Sequence, residues 1–169
     1  MSDDMLLQAI EKQRGKSKEE PETVDLLNLD DELRVRTHVE LDPNLVGRVD
    51  HLNEDESHTT LNTTKAMHAD EERLVHSGFI GSSAEYAALI AVNEPNAMIY
   101  SVSSQYFSCA RVGEDVTFKA TVQHTEGHKR NVTVIGSIES IKVYRANIIV
   151  IIPEYHPLKI KLLEIAGAV

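Results

Sequence analysis

The sequence predicts an α+β domain in which an antiparallel sheet wraps around one central helix. Three observations carry this prediction. Residues 79–92 are small and apolar on nearly every side, which is typical of a buried helix. Segments with strand patterns precede this helix, and a longer antiparallel run follows it. Apolar residues make up 41% of the 169 residues but aromatic ones only 5%, so we expect an aliphatic core.

The chain divides into four predicted segments. Residues 1–22 form an N-terminal appendage and linker, which is interpreted either as a frayed tail or as a short docking helix. Residues 23–44 are a lead-in segment, and residues 45–155 are the folded domain. Residues 156–169 form a C-terminal extension to which the sequence assigns no role.

The first half of the domain is predicted to contain two strands and then the helix. A short strand covers 46–52, a turn follows at 53–56, and the Thr-rich segment 57–67 favours a second strand. Ser77 or Gly78 is expected to begin the helix. Residues 93–96, which include Pro95, are expected to end it.

The second half is predicted to be an antiparallel meander. A strand over 97–107 is followed by a loop at 110–113. Apolar side chains then alternate with polar ones, which is typical of a strand with one buried face: Val116, Phe118, Ala120 and Val122. Glu126 and Gly127 predict a hairpin turn. Strands over 131–142 and 144–152 complete the meander, which Pro153 ends.

Charge and composition exclude several classes of function. A formal net charge of −10 argues against binding to nucleic acid or to anionic membranes, because both need clustered cations. It does not exclude a ligand with a few phosphates. Cys109 is the only cysteine, so we expect no disulfide within the chain and a reducing compartment. An acidic N-terminus and apolar runs no longer than 148–152 predict a cytoplasmic protein without a membrane span.

Glu85 is the residue that a purely structural interpretation of the helix does not explain. It lies among Ala84, Tyr86 and Ala87, and burying an unpaired carboxylate is costly. Such a group is a candidate general base or nucleophile. The alternative is that Glu85 points to solvent from a helix that is not fully buried.

The start of the same helix offers a second element of a site. Backbone N–H groups at His76, Ser77 and Gly78 have no acceptor within a helix, and they point toward any developing negative charge. Gly78 lacks a Cβ, so a ligand can approach the backbone closely. His76 either orients a carbonyl group or only stabilises a loop.

These residues resemble the motif of the hot-dog-fold thioesterases. That family carries a His-Gly-Gly turn at the start of the central helix and an acidic catalytic residue nine positions after the His. Here His76 is followed by Ser77 and Gly78, and Glu85 stands nine positions later. Ser77 replaces the first Gly, which retains the backbone donor but narrows the approach to it.

A second resemblance, over about residues 45–155, is to the hot-dog effector domain of the malonyl-CoA-responsive repressor of fatty-acid synthesis. The single-domain flagella-associated hot-dog proteins of epsilonproteobacteria look like the same branch. In the repressor an Arg holds the malonyl carboxylate where His76 stands here, and an Asn occupies the position of Glu85. This chain therefore has an acid where the repressor has a neutral residue.

The resemblance implies a homodimer with its active sites at the subunit interface, a CoA thioester as substrate or ligand, and a place in fatty acid metabolism. Glu85, Ser77, Gly78 and His76 would form the catalytic group. The CoA phosphates would be held by cations on a loop and a hairpin, namely Arg111, Lys129 and Arg130. The acyl chain would lie along the helix, contacting Phe79, Ser82 and Tyr86. A CoA-thioester hydrolase is the leading hypothesis, and a non-catalytic acyl-CoA sensor is the alternative.

Two other kinds of site are set aside on their spacing. Ser82 and Ser83 lie outside any Gly-x-Ser-x-Gly elbow, so a serine hydrolase is not predicted. The histidines lack the helical His-Glu-x-x-His spacing of a zinc site, so neither a metal nor another cofactor is expected.

Overall fold

The computed structural model of the chain describes residues 34–160, in which six strands surround one long helix. A short helix, α1 (Pro43–Val46), leads into β1 (Arg48–Asn53) and β2 (Glu56–Asn62). The long helix α2 (Ser77–Val92) follows. The second half consists of four strands: β3 (Met98–Tyr106), β4 (Asp115–Glu126), β5 (Lys129–Ile138) and β6 (Ile141–Ile151).

All six strands form one antiparallel sheet in the order β1-β2-β4-β5-β6-β3. Strands β4, β5 and β6 are joined by hairpins, and Gly127 in the first hairpin turn has φ +52°, a conformation that favours glycine. Strands β1 and β3 lie at the two edges. The predicted fold class, an antiparallel sheet wrapped around one central helix, is confirmed.

The core lies between the inner face of the sheet and α2. In β4 the alternate residues Val116, Phe118 and Ala120 are buried, as their period of two predicts. Small residues of α2 such as Ala84, Ala87 and Ala88 are 0% exposed, which lets the helix pack close to the strands. The core is mainly aliphatic, with a few aromatic rings such as Phe118 within it.

The two ends of α2 are held by side chains. At the N-terminus the Nδ1 of His76 accepts from the backbone N–H of Gly78. At the C-terminus Asn93 adopts a left-handed conformation (φ 50°, ψ 39°). Its amide binds the lead-in segment, accepting from Arg36 N at 2.7 Å and donating to Arg34 O at 2.9 Å. The backbone of this segment is therefore attached to the helix end by two hydrogen bonds to the Asn93 side chain.

Several boundaries differ from the prediction. Val46 ends α1 rather than beginning a strand, and Gly47 (φ +96°) separates the two elements. Residues Lys65–Met67, predicted as strand, form a 3-10 helix. The turn between β5 and β6 lies at 139–140, where Glu139 has φ +52°, and not near residue 143. The start of α2 agrees with the prediction, since the helix begins at Ser77, and His76 is the residue that caps it.

The predicted appendage, residues 1–22, lies outside the described residues, and so does most of the C-terminal extension. The division of the chain into four segments stays a prediction. Among residues 34–160, no helix combines the length and apolarity needed to cross a membrane.

Candidate functional site

The candidate site lies between α2 and the inner face of the edge strand β3. Tyr106 of β3 is directly opposite Tyr144 of β6 in the sheet register, so both side chains leave the same face. Tyr144 is buried in the core, whereas Tyr106 is 48% exposed because it lies at the sheet edge. We call the space between α2 and β3 the α2–β3 cleft.

Glu85 lies on the side of α2 that faces this cleft, and its side chain is partly exposed. Burial raises the pKa of its carboxyl group. The charge of Glu85 in turn raises the pKa of the Tyr106 and Tyr144 hydroxyls, although burial is the larger cause for both and takes Tyr144 to about 12. None of the ion pairs within residues 34–160 includes Glu85. Glu85 is therefore a partly buried carboxyl group that lies beside the hydroxyls of Tyr106 and Tyr144 and forms no ion pair within residues 34–160.

At the start of α2 the His76 ring covers one of the predicted backbone donors. The N–H of Gly78 donates to His76 Nδ1 at 3.0 Å. A Cβ at Gly78 would lie 2.9 Å from the same nitrogen, so a side chain there would require the ring to move. A substrate oxygen that used the Gly78 amide would have to displace His76 from it.

The sequence did not identify Tyr106 as part of the site. Its hydroxyl donates to the carbonyl oxygen of Ser77 across a long 3.4 Å. It also lies against Gly81, where an added Cβ would come within 2.9 Å of the Tyr106 oxygen. The Tyr144 ring packs edge-on behind it, with ring centroids 5.0 Å apart. Tyr106 therefore connects the start of α2 with the side that carries Glu85.

The three predicted acyl-chain contacts, Phe79, Ser82 and Tyr86, lie on one side of α2 because they are spaced i, i+3 and i+7, but this side is rotated away from the one that carries Glu85. Ser82 is exposed and its hydroxyl donates to the Phe79 carbonyl, while Phe79 itself packs partly into the core. Tyr86 is 9% exposed and packs in a second apolar cluster with Leu52 and Ile90. It follows Glu85 by one residue and is thus turned about 100° away from it. Contact of these residues with a substrate stays a prediction.

The predicted phosphate-binding cations lie at opposite ends of the sheet. Arg111 is bridged to Leu74 beside the start of α2. Lys129 and Arg130 lie at the far hairpin, and Arg130 donates to the Gly127 carbonyl at 2.7 Å. The 12 residues of β4 separate these ends by roughly 35–40 Å at the usual rise per residue. One protomer therefore does not bring the three cations together.

Within the described part of the chain, no group of three or more His, Cys, Asp or Glu residues is placed to hold a metal ion.

Comparison with known proteins places this fold among relatives. No family model matches the chain. Over 100 residues, or 59% of the chain, it is 35% identical to a methylthioribose-1-phosphate isomerase from Aquifex aeolicus. The aligned part is only 22% of that relative, so the chain spans about a fifth of the curated protein that it matches.

Solved structures match over most of their length. An uncharacterized protein from Pyrococcus horikoshii is 31% identical with a TM-score of 0.73, and the match covers 73% of this chain and 95% of that one. A sigma28-regulated virulence protein from Campylobacter jejuni is 26% identical with a TM-score of 0.71, over 73% of this chain and 95% of that one.

A more distant likeness shows the fold alone. A hypothetical thioesterase from Streptococcus pneumoniae, solved with coenzyme A, is 10% identical with a TM-score of 0.58, over 63% of this chain and 84% of that one. The two proteins therefore share a fold. Taken together, the architecture and these structures show that the chain has the hot-dog fold and is related to the Pyrococcus horikoshii protein.

Proposed function

We propose that the protein is a homodimeric hydrolase of CoA thioesters in which Glu85 is the catalytic acid residue. The observation that carries this proposal is the position of Glu85, a partly buried carboxylate facing the α2–β3 cleft on the helix whose N-terminus offers backbone donors. A carboxylate without a salt bridge destabilises a helix that packs against a core, so a catalytic use explains its presence better than a structural one.

Two chemical roles are open to Glu85. As a general base it removes a proton from a water molecule that attacks the thioester carbonyl. As a nucleophile it attacks that carbonyl directly and forms an anhydride, which water then hydrolyses. In both routes the negative charge on the carbonyl oxygen is stabilised by the backbone N–H groups of Ser77 and Gly78, and the CoA thiol leaves.

The length of the helix supports a site shared between two copies of the chain. Gly78 and Glu85 are seven residues apart, which corresponds to a rise of about 10 Å along α2. One thioester carbonyl is too small to contact both groups of a single helix. We therefore propose that the helix start of one protomer and Glu85 of its partner act on the same substrate.

The edge strand β3 supports this assembly. Its residues from Ser101 to Tyr106 are exposed, and within residues 34–160 only β6 pairs with it. Tyr100 and Val102 add exposed apolar surface, which is unusual for a sheet edge that remains in solvent. Pairing of two β3 strands across a twofold axis would cover this edge and bring the two α2–β3 clefts together.

The ligand class rests on relatives of the same fold, one of which contains coenzyme A. In this chain Arg111 lies beside the helix start, where it can meet a phosphate of a ligand bound there. Lys129 and Arg130 lie too far along the sheet to act on the same group from the same protomer. We propose that they contribute from the partner subunit.

A non-catalytic CoA-ester sensor is the second candidate. Two observations favour it. Ser77 stands where the thioesterase motif has Gly, and the Gly78 amide is occupied by His76. In addition, the segment of 100 residues recurs within a longer relative that is named for a different reaction, as expected of a module that serves other domains.

Thiol release from acyl-CoAs separates the two candidates. The wild-type chain should release free CoA, and Glu85→Gln should lower kcat/KM about 10²- to 10⁴-fold, the usual contribution of a general base, with ligand binding retained. Glu72→Gln, at an exposed loop position, serves as the matched control and should retain the wild-type rate. Binding of CoA esters without thiol release by the wild type would establish the sensor instead.

A further inference from the structure

Tyr106 lies between the start of α2 and the part of the helix that carries Glu85. The phenol crosses from β3 to the first turns of α2, with its hydroxyl 3.4 Å from the Ser77 carbonyl oxygen. The helix residue beneath it is Gly81, whose missing Cβ would otherwise lie 2.9 Å from the hydroxyl. The phenol and the helix backbone are therefore in direct contact, which leaves no room for a hydrocarbon chain between them.

The ring has no space to withdraw into the core. Tyr144, which is 1% exposed, packs edge-on behind it with ring centroids 5.0 Å apart. Tyr144 is supported in turn by Phe118, at a centroid distance of 6.3 Å. Because protein cores are close-packed, this aromatic row resists inward movement of Tyr106.

Glu85 lies one helical turn beyond Gly81 on the same side of α2. Any acyl chain that extends along this side from the helix start toward Glu85 therefore meets the Tyr106 ring first. We propose that Tyr106 sets the upper limit on acyl length, so that the site accepts short acyl groups and excludes long ones. The proposal rests on the proposed CoA-thioester function and specifies its substrate class.

Chain-length dependence of affinity provides the test. In an open apolar groove each buried methylene tightens binding about fourfold, so affinity rises steadily with chain length. If a ring closes the groove, affinity stops rising at the acyl chain length that reaches the ring. The full chain carrying Glu85→Gln, which slows turnover about 10²- to 10⁴-fold, is titrated calorimetrically with acetyl-CoA, butyryl-CoA and octanoyl-CoA. Tyr106→Ala and Tyr106→Phe are then added to that background.

We expect the parent to bind octanoyl-CoA no more tightly than butyryl-CoA. Tyr106→Ala should tighten octanoyl-CoA binding at least tenfold and leave acetyl-CoA within twofold, while Tyr106→Phe, which removes only the oxygen that contacts Gly81, should give a smaller gain. Tyr155→Ala removes an exposed tyrosine outside the sheet and should behave as the parent. A gain in affinity cannot arise from misfolding.

Two results overturn the proposal, and they differ from each other. Affinity that rises through octanoyl-CoA in the parent, or a Tyr106→Ala variant with the parent's length profile, shows that Tyr106 sets no limit although CoA esters bind. Absence of binding for all three esters in every variant refutes the CoA-thioester function itself, and the length limit with it.

Discussion

The role of His76 can be measured because its side chain makes one hydrogen bond, to the N–H of Gly78, whose loss has a typical cost. Its Nδ1 accepts the Gly78 N–H at 3.0 Å and caps α2. Replacing a capping residue with alanine costs about 1 kcal/mol. For a chain of this size we expect His76→Ala to lower Tm by about 2–4 °C. Asparagine is a strong capping residue, so His76→Asn should recover most of this loss.

The assay combines thermal unfolding, followed by circular dichroism, with thiol release on the same samples. Alanine leaves the Gly78 amide free for a substrate oxygen, and an asparagine cap occupies it as His76 does, so both variants should hydrolyse acyl-CoA within about tenfold of the wild-type rate. An unchanged Tm in His76→Ala would refute the capping role. Full stability in His76→Asn combined with a 100-fold loss of rate would show that the imidazole itself contacts the substrate.

Three further predictions concern stability. Burial raises the pKa of Glu85 above 4.5, so between pH 4.5 and this raised value the folded state retains a proton that the unfolded chain has lost. As pH rises through this range, the free energy of unfolding of the wild type should fall relative to that of Glu85→Gln. Urea titration at several pH values measures both free energies. Asn93→Gly should lower the free energy of unfolding by about 1–2 kcal/mol because two hydrogen bonds are lost. Asn93→Ala should lower it by about 1 kcal/mol more because alanine is strained in the left-handed conformation of this residue. Equal losses for the two variants in urea titrations would contradict the predicted strain. Gly47→Ala, whose Cβ would lie 2.8 Å from Thr60 O at φ +96°, should destabilise by more than about 2 kcal/mol, and an unchanged urea midpoint would refute the clash.

The fold was predictable where local patterns coincide with tertiary packing. The small residues of α2 and the alternation of Val116, Phe118 and Ala120 both report directly on burial. The turn at 139–140 was missed because no Gly or Pro marks it, and Glu139 adopts a positive φ that its residue type does not signal. The short helix α1 did carry a signal, since Asp42 caps it and Pro43 stands at its first turn.

Only the site residues that lie on or next to the helix α2 could be predicted from the sequence. His76 and Glu85 share α2, so their spacing could be compared with a family motif. Tyr106 belongs to β3 and reaches the site through its register opposite Tyr144, which depends on pairing between distant strands. The alternation of Val102, Ser104 and Tyr106 identifies a common face of β3 but does not say that this face meets α2.

Subunit complementation tests the central claim, a site shared between two protomers, most directly. Ser77→Pro removes one helix-start N–H at a position where proline is tolerated, and the extended backbone of His76 (φ −62°, ψ 129°) suits the residue before it. Ser77→Pro and Glu85→Gln, each inactive alone, are unfolded, mixed and refolded together. Half of the randomly formed dimers are mixed and contain one intact site, so we predict roughly a quarter of the wild-type rate of thiol release. No activity in the mixture, with mixed dimers present by native mass spectrometry, would contradict the shared site.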